Sequence, residues 1–418
     1  MAVVARASVV STNCLRATQR LESKNGGSFS VVLFSTNNRK YSSNPSPHVI
    51  EAPSTVSLKR GTGGRSSFNG ITCTVFGATG FLGTYVCNRL GKIGTQMILP
   101  HRCDPYYTLR LKLCGDLGQV LFHPFHLRDE DSIMECIKYS NVVINMIGCE
   151  WETRNFSYHD VNVEGARRLA RLCKKANVPR FVHLSCLNAN PKPKPIMLKN
   201  GSGYLKSKWE GECAVREEFP EATIIRPADI YGQEDRSFIN VYCDAWRRHF
   251  RGIPLWNKGE TTEKQPIWAG DVAAGIAAVV KDPKTAGQIY QFVGPKRYQL
   301  SELIDWIARM QRRESVEWGH RRLELKHTPL FHFKIFVTQA CRTKAPFASL
   351  HWECLESAHT SDVVVKGIPT LEDLGIQPTA MESRMPWEVR ARKSEAHYME
   401  QLGEFDEPAL PKTIPLMQ

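Results

Sequence analysis

Residues 71–83, Ile71-Thr72-Cys73-Thr74-Val75-Phe76-Gly77-Ala78-Thr79-Gly80-Phe81-Leu82-Gly83, constrain this chain more than any other stretch. The run up to Phe76 reads as a buried strand. Leu82, Val86, Leu90 and Ile93 then recur at helical spacing along one face. Between strand and helix, glycine stands at every third position. Gly77 permits a tight turn, Gly80 lets the backbone approach a pyrophosphate, and Gly83 lets helix pack closely on strand. The opening helical turn offers unpaired N–H groups and a partial positive charge to an anion. Strand, glycine turn and helix in that order predict a nucleotide-binding cradle made by Gly77, Ala78, Thr79, Gly80, Phe81, Leu82 and Gly83.

Beyond this unit, strand-like and helix-like patterns alternate. Strands are expected over 96–100, 120–125, 142–147, 180–185 and 222–226, and helices over 131–138, 161–176 and 204–217. In the second of these helices Ala166, Leu169, Ala170 and Cys173 share a face that excludes Arg167, Arg168, Arg171 and Lys174. Such alternation predicts an α/β fold: a doubly wound parallel Rossmann sheet with ligands at its carboxyl edge. After about residue 233 the rhythm changes to helices near 238–250, 272–281 and 301–312 with a short strand at 289–293. The organisation expected is an import presequence over 1–42, a flexible lead-in over 43–69, a dinucleotide-binding Rossmann domain over 70–235 and a smaller, mostly helical C-terminal domain over 236–370. Residues 371–418, rich in proline and charge, are expected to be an extended interaction tail, with too little apolar content to fold alone.

Charge separates the leader from the rest. Of the net +13, residues 1–42 carry +5: Arg6, Arg16, Arg20, Lys24, Arg39 and Lys40 against Glu22 alone. Arginine-bearing, hydroxyl-rich and acid-poor is the composition of an organelle import peptide, and Arg39-Lys40-Tyr41-Ser42-Ser43 resembles a matrix-processing site. No apolar run reaches the length of a membrane-spanning helix. The 13 cysteines have neither Cys-x-x-Cys pairs nor zinc-ligand spacing, which suits a reducing compartment and predicts no metal site. After residue 60 no compact basic run is interleaved with aromatics, so nucleic acid is not an expected partner.

Two further motifs bear on chemistry. The second strand ends Ile98-Leu99-Pro100-His101-Arg102, with no carboxylate before Asp104. An acid there would hold the ribose hydroxyls of NAD, whereas an arginine forks onto the 2′-phosphate of NADP, so Arg102 predicts NADPH. Tyr204-Leu205-Lys206-Ser207-Lys208 places Tyr204 and Lys208 four residues apart on one helix face. A nearby ammonium lowers a phenol's pKa and readies it for proton exchange with a carbonyl or alcohol.

The glycine turn, Asp160-Val161-Asn162-Val163-Glu164-Gly165, Arg180-Phe181-Val182-His183-Leu184-Ser185, Tyr204 with Lys208, and Arg226-Pro227-Ala228-Asp229-Ile230-Tyr231-Gly232 resemble the extended or atypical short-chain dehydrogenases over residues 70–300. A closer likeness is to the alpha-subcomplex subunit 9 family, the NADPH-binding accessory subunits of mitochondrial NADH:ubiquinone oxidoreductase (respiratory complex I). It is carried by His183-Leu184-Ser185-Cys186-Leu187-Asn188-Ala189-Asn190, Gly232-Gln233-Glu234-Asp235-Arg236, Phe292-Val293-Gly294-Pro295 and Leu371-Glu372-Asp373-Leu374-Gly375-Ile376. The resemblance implies a dehydrogenase fold kept as a fixed, matrix-side part of a membrane enzyme, with NADPH stabilising the assembly and other complex I subunits as partners. The wider family's substrate-polarising serine aligns with Cys186 or, one residue earlier, Ser185. Cysteine is the weaker donor, which fits loss of independent activity. His126-Leu127 stands where enzymes of the group carry Asp-Leu against the adenine. The alternative is an independent mitochondrial NADPH-dependent reductase or epimerase working through Tyr204 and Lys208; a nucleotide-sensing regulator is a third reading. Residues 329–342 are aromatic with interleaved basic residues, and fit either a surface that touches the inner membrane or a partner, or a buried helix.

Overall fold

A strand buried on both faces must be largely apolar, and Val142-Val143-Ile144 and Cys73–Phe76, whose one polar side chain, Thr74, donates to the Cys136 carbonyl, meet that demand. In this computed structural model, which describes residues 21–22, 28–29, 59–235, 238–243, 252–312, 320–341, 350–393, 406 and 408–416, they form the centre of a seven-stranded parallel sheet. The elements run β1 (Thr72–Phe76), α1 (Phe81–Lys92), β2 (Gln96–His101), β3 (Val120–Pro124), α2 (Glu130–Ile137), β4 (Val142–Asn145), α3 (Ala166–Lys175), β5 (Arg180–Leu184), α4 (Gly203–Glu218), β6 (Thr223–Pro227), α5 (Ala269–Lys281) and β7 (Ile289–Phe292). Strand order is β7-β6-β5-β4-β1-β2-β3, so the direction of winding reverses between β1 and β4. Crevices for ligands open at the carboxyl ends of strands where that reversal occurs.

Strand alternation sends successive side chains to opposite faces. Cys73, Val75 and Ile144 meet α1 and α5 through Val86, Leu90, Val272 and Ile276. Phe76, Val143 and Phe181 meet α2, α3 and α4 through Ile133, Leu169, Cys173 and Val215. The expected strands and helices are present with ends shifted by a residue or two. One departure is larger: the helix expected from Val161 opens as a π-helical turn, His159–Gly165, before α3 takes over. A π turn admits an extra residue, and that rotates Asn162 toward α4, where its Nδ2 donates to Ser207 Oγ at 2.9 Å.

The boundary expected at residue 235 does not divide the chain in sequence, because α5 and β7 return to the sheet after it. The second layer of structure holds α6 (Leu300–Met310), α7 (Pro329–Cys341), α8 (Trp352–His359) and α9 (Met381–Val389). Its core joins Phe238, Leu255, Trp306 and Ile307. Of the helix expected over 238–250, Ile239–Cys243 is helical and residues 244–250 lie outside the described residues. The tail corrects an expectation. Met381, Met385 and Val389 are buried in this core, Leu371 is buried against α5, and Thr413–Ile414 pairs with Arg297–Gln299. A few apolar residues are too sparse to make a core yet suffice to dock on one already present.

Residues 1–48 form a unit of their own, and in them only the backbone of an antiparallel pair, Leu21–Glu22 with Ser28–Phe29, is described. The expected processing site and most of the lead-in lie outside the described residues. The nine cysteines from Cys73 to Cys213 are free thiols, and no group of acidic, histidine and cysteine side chains among the described residues is arranged to hold a metal.

Candidate functional site

The carboxyl ends of β1 and β4 deliver the glycine turn to the switch point. Gly77 has φ +86°, and a Cβ there would stand 3.0 Å from the Met146 carbonyl group. At Gly83 a Cβ would lie 2.4 Å from the Gly77 oxygen, so only hydrogen allows α1 to start this close to β1. Ala78 and Leu82 are buried in the sheet core, while Gly77, Thr79, Gly80 and Phe81 remain partly open. The helix is preceded by Gly80, carries no side-chain cap and has no acid in its first turn. Its leading N–H groups are therefore available to an anion, and no acid of the helix's own first turn competes.

At the end of β2, Arg102 is exposed and its guanidinium lies 5.4 Å from the centre of the Phe156 ring. Arg128, two residues after His126, lies over the same ring at 4.5 Å and donates to the Asn155 carbonyl at 2.8 Å. The His126 ring is 6.2 Å from that of Phe156. Two cations, an aromatic face and an imidazole thus gather beyond the edge of β2 and β3. Sequence reasoning found Arg102 and missed Arg128 and Phe156, because they come from different loops with no fixed spacing to the glycine turn. Arg110 was missed for the same reason: it donates to the Thr79 carbonyl at 3.0 Å and pairs with Glu234 at 2.7 Å, bracing the turn from outside.

Tyr204 and Lys208 stand in the first turns of α4, held by two devices. Ser202 caps the helix by accepting from Leu205 N at 3.3 Å and itself donates to Glu353 of α8 at 3.0 Å. Farther along, Glu212 accepts from Arg226 of β6 at 3.0 and 2.6 Å. Lys208 Nζ lies 5.9 Å from the centre of the Tyr204 ring and faces the backbone at Gly148. The Tyr158 ring stacks edgewise on Tyr204 at 6.1 Å.

The electrostatics of this pair differ from the expectation. Burial pushes the Tyr204 phenol well above its ordinary value, and the Cys186 thiol and Glu150 add to the effect. Burial also holds the Lys208 ammonium below the usual lysine range, opposed in part by Cys186 and Glu150. Desolvation is the largest influence on the phenol, and it acts against ionisation. Cys186 is the residue that Tyr204 and Lys208 feel, with a thiol pushed up to about 12 by burial despite the pull of Lys208. Ser185 turns inward instead, its Oγ buried without a hydrogen-bond partner among the described residues. The crevice beside Tyr204 is thus bordered by a weak donor, a thiol that burial keeps protonated.

Beyond this pair lies a cavity of about 630 Å³ between the loop after β5 and the second layer, bordered by Leu187, Asn190, Lys194, Arg226 and Trp256. Next to it, fully buried Lys264 reaches Asp229 at 2.7 Å and Asp362 at 3.8 Å, joining β6's exit to the second layer.

These features match known proteins at two levels. Residues 73–293 match the model of the NAD dependent epimerase/dehydratase family, whose fold takes a nicotinamide dinucleotide. Among curated proteins, the mouse (Mus musculus) NADH dehydrogenase (ubiquinone) 1 alpha subcomplex subunit 9, mitochondrial, is 42% identical over 85% of this chain and 89% of its own length. The NADH-ubiquinone oxidoreductase 40 kDa subunit of Neurospora crassa is 33% identical over 81% of this chain and 84% of its length. Among solved structures, a nucleoside-diphosphate-sugar epimerase from Staphylococcus aureus superposes with a TM-score of 0.52 at 14% identity, covering 76% of this chain and 100% of its own. At that identity the likeness concerns the fold alone.

Proposed function

Because this chain belongs to the alpha subcomplex subunit 9 family of mitochondrial NADH:ubiquinone oxidoreductase, itself a branch of the NAD dependent epimerase/dehydratase family, we propose that it is an accessory subunit of respiratory complex I. In this reading it sits on the matrix side of the inner membrane, among other complex I subunits, and holds NADPH as a structural ligand without turning over a substrate of its own.

The observation that carries this reading is the contrast between an open phosphate cradle and a muted proton relay in one crevice. Residues 77–83 keep their uncapped helix start, and Arg102 with Arg128 supplies two cations where a 2′-phosphate needs them. Tyr204 and Cys186 border the crevice with their protons held by burial, and the same burial disfavours the charge on Lys208. Bound dinucleotide brings hydride chemistry, but the residues around it orient and retain it. Lys208 and Tyr204 then serve as hydrogen-bonding supports. Ligand that binds only the folded chain adds to its stability by mass action, which is how a retained coenzyme stabilises an assembly.

The test is extraction of nucleotide from the natively purified protein, with native electrophoresis of the mitochondrial membrane. NADPH in near-equal amount, and co-migration with complex I, are expected. Arg102→Ala is expected to lower retention of NADPH about 10–100-fold while leaving NADH affinity nearly unchanged. Isolated material free of pyridine nucleotide, or holding NADH alone, overturns the reading. The intact Tyr204–Lys208 pairing favours one alternative, an independent reductase or epimerase; NADPH oxidation by the purified chain with a carbonyl compound would establish it.

A further inference from the structure

Among the described residues, helix α7 has one face with no covering. Phe331, Ile335 and Thr338 are buried and fix it to the body beside Leu325, Leu350 and Leu355. On the opposite side Leu330, Phe333, Phe336 and Val337 are 60%, 65%, 66% and 42% exposed. Their spacing of three, three and one puts them on a single stripe. Four large apolar side chains aimed at water from a well-anchored helix mark a contact surface.

The charge pattern around the stripe selects its occupant. From Leu325 to Trp352 the sequence holds no aspartate or glutamate, yet it contains Lys326, Lys334, Arg342 and Lys344. Lys326 is exposed, with its ammonium 4.2 Å from the Trp256 ring. A second exposed apolar group, Tyr106, Tyr107, Leu109, Leu113 and Leu117, holds Asp116 within its own span, and so lacks this one-sign run. No described helix is long and apolar enough to cross a membrane. Apolar tips beside lysines with long aliphatic stems are the pattern of a helix lying in the headgroup layer.

We infer that α7 rests its Leu330–Phe333–Phe336–Val337 stripe in the interface of an anionic phospholipid bilayer, with Lys326 at the headgroups. The proposed function supplies a bilayer near this chain, but binding to vesicles does not depend on assembly. The full chain is mixed with phosphatidylcholine vesicles with and without cardiolipin and followed by flotation. Binding to the cardiolipin vesicles is expected, about tenfold weaker without anionic lipid or at high salt. Phe333→Glu with Phe336→Glu is expected to reduce it at least about tenfold, with melting temperature unchanged because both positions are exposed. As a milder probe, the Phe336→Trp emission should shift to the blue on binding and be quenched by bromine-labelled acyl chains. Absence of binding to cardiolipin vesicles, equal binding by the double variant, or an unshifted tryptophan overturns the inference. A chain that joins complex I yet ignores such vesicles assigns the stripe to a protein neighbour, which defeats the inference and leaves the proposed function standing.

Discussion

Removing Glu212 probes how the crevice is held. Glu212 follows Lys208 by four residues and Tyr204 by eight, so the three share one face of α4. Its side chain is 4% exposed, and Arg226 opposite is 16% exposed. Burial works against the guanidinium charge, but the hydrogen-bonded Glu212 more than offsets it and holds Arg226 above its ordinary value. Glu212→Leu deletes the carboxylate and leaves that charge against an apolar wall. Breaking a buried pair from one side costs about 3–5 kcal/mol. Arg226 also borders the 630 Å³ cavity, where water reaches it, so the lower bound applies. A loss of about 3 kcal/mol corresponds to a fall in Tm of roughly 6–12 °C. Glu212→Leu with Arg226→Met removes both charges at similar volume and should return to within about 1 kcal/mol of the parent. The assay is thermal unfolding of all four members of the cycle at one fixed nucleotide concentration, since bound ligand adds its own stabilisation. A single variant within about 1 kcal/mol of the parent refutes the reasoning, as does a double variant as unstable as the two singles summed.

Other outcomes follow from the same geometry. Gly83→Ala pushes a methyl group to 2.4 Å from the Gly77 oxygen; it should displace α1 by enough to abolish co-purification of nucleotide, at a cost of about 1–3 kcal/mol measurable by urea unfolding. Tyr204→Phe should leave NADH:ubiquinone turnover of the assembled enzyme nearly unchanged, because the phenol stays protonated; a large loss with assembly intact would reveal chemistry at this position. Buried His183 is held down to about 3 by burial and, secondarily, by Lys208, so it is neutral in the folded chain at neutral pH. Since the unfolded chain takes up this proton below about 6.5, stability should fall as pH drops from there toward 3, by up to about 1.4 kcal/mol per unit. His183→Gln should flatten that slope in pH-dependent unfolding.

Local pattern made much of this protein legible. The phosphate turn, α1 and the apolar strands follow from side-chain size and period within a dozen residues, so residues 77–83 and the sheet could be read in sequence. Arg102 could be read because it stands at a fixed distance from a strand end, and Tyr204 with Lys208 because helix geometry fixes their separation. None of these required knowledge of what lies across the fold. The tail was misjudged because docking needs only a few contacts: Met381, Met385 and Val389 look sparse until Trp306 and Leu255 are seen to receive them.

What the sequence determined by itself is therefore the α/β winding, the glycine cradle and the family to which the chain belongs. Tertiary structure alone decided the electrostatic state of the crevice. Whether a lysine activates a tyrosine depends on the desolvation of both, and that is set by Tyr158, Cys186, Glu150 and the returning helix α8, which come from separate parts of the chain. Arg128 reached Phe156 by the same route. Motifs report which groups are near in sequence, whereas pKa and pairing answer to every charge and wall that folding brings within a few ångströms.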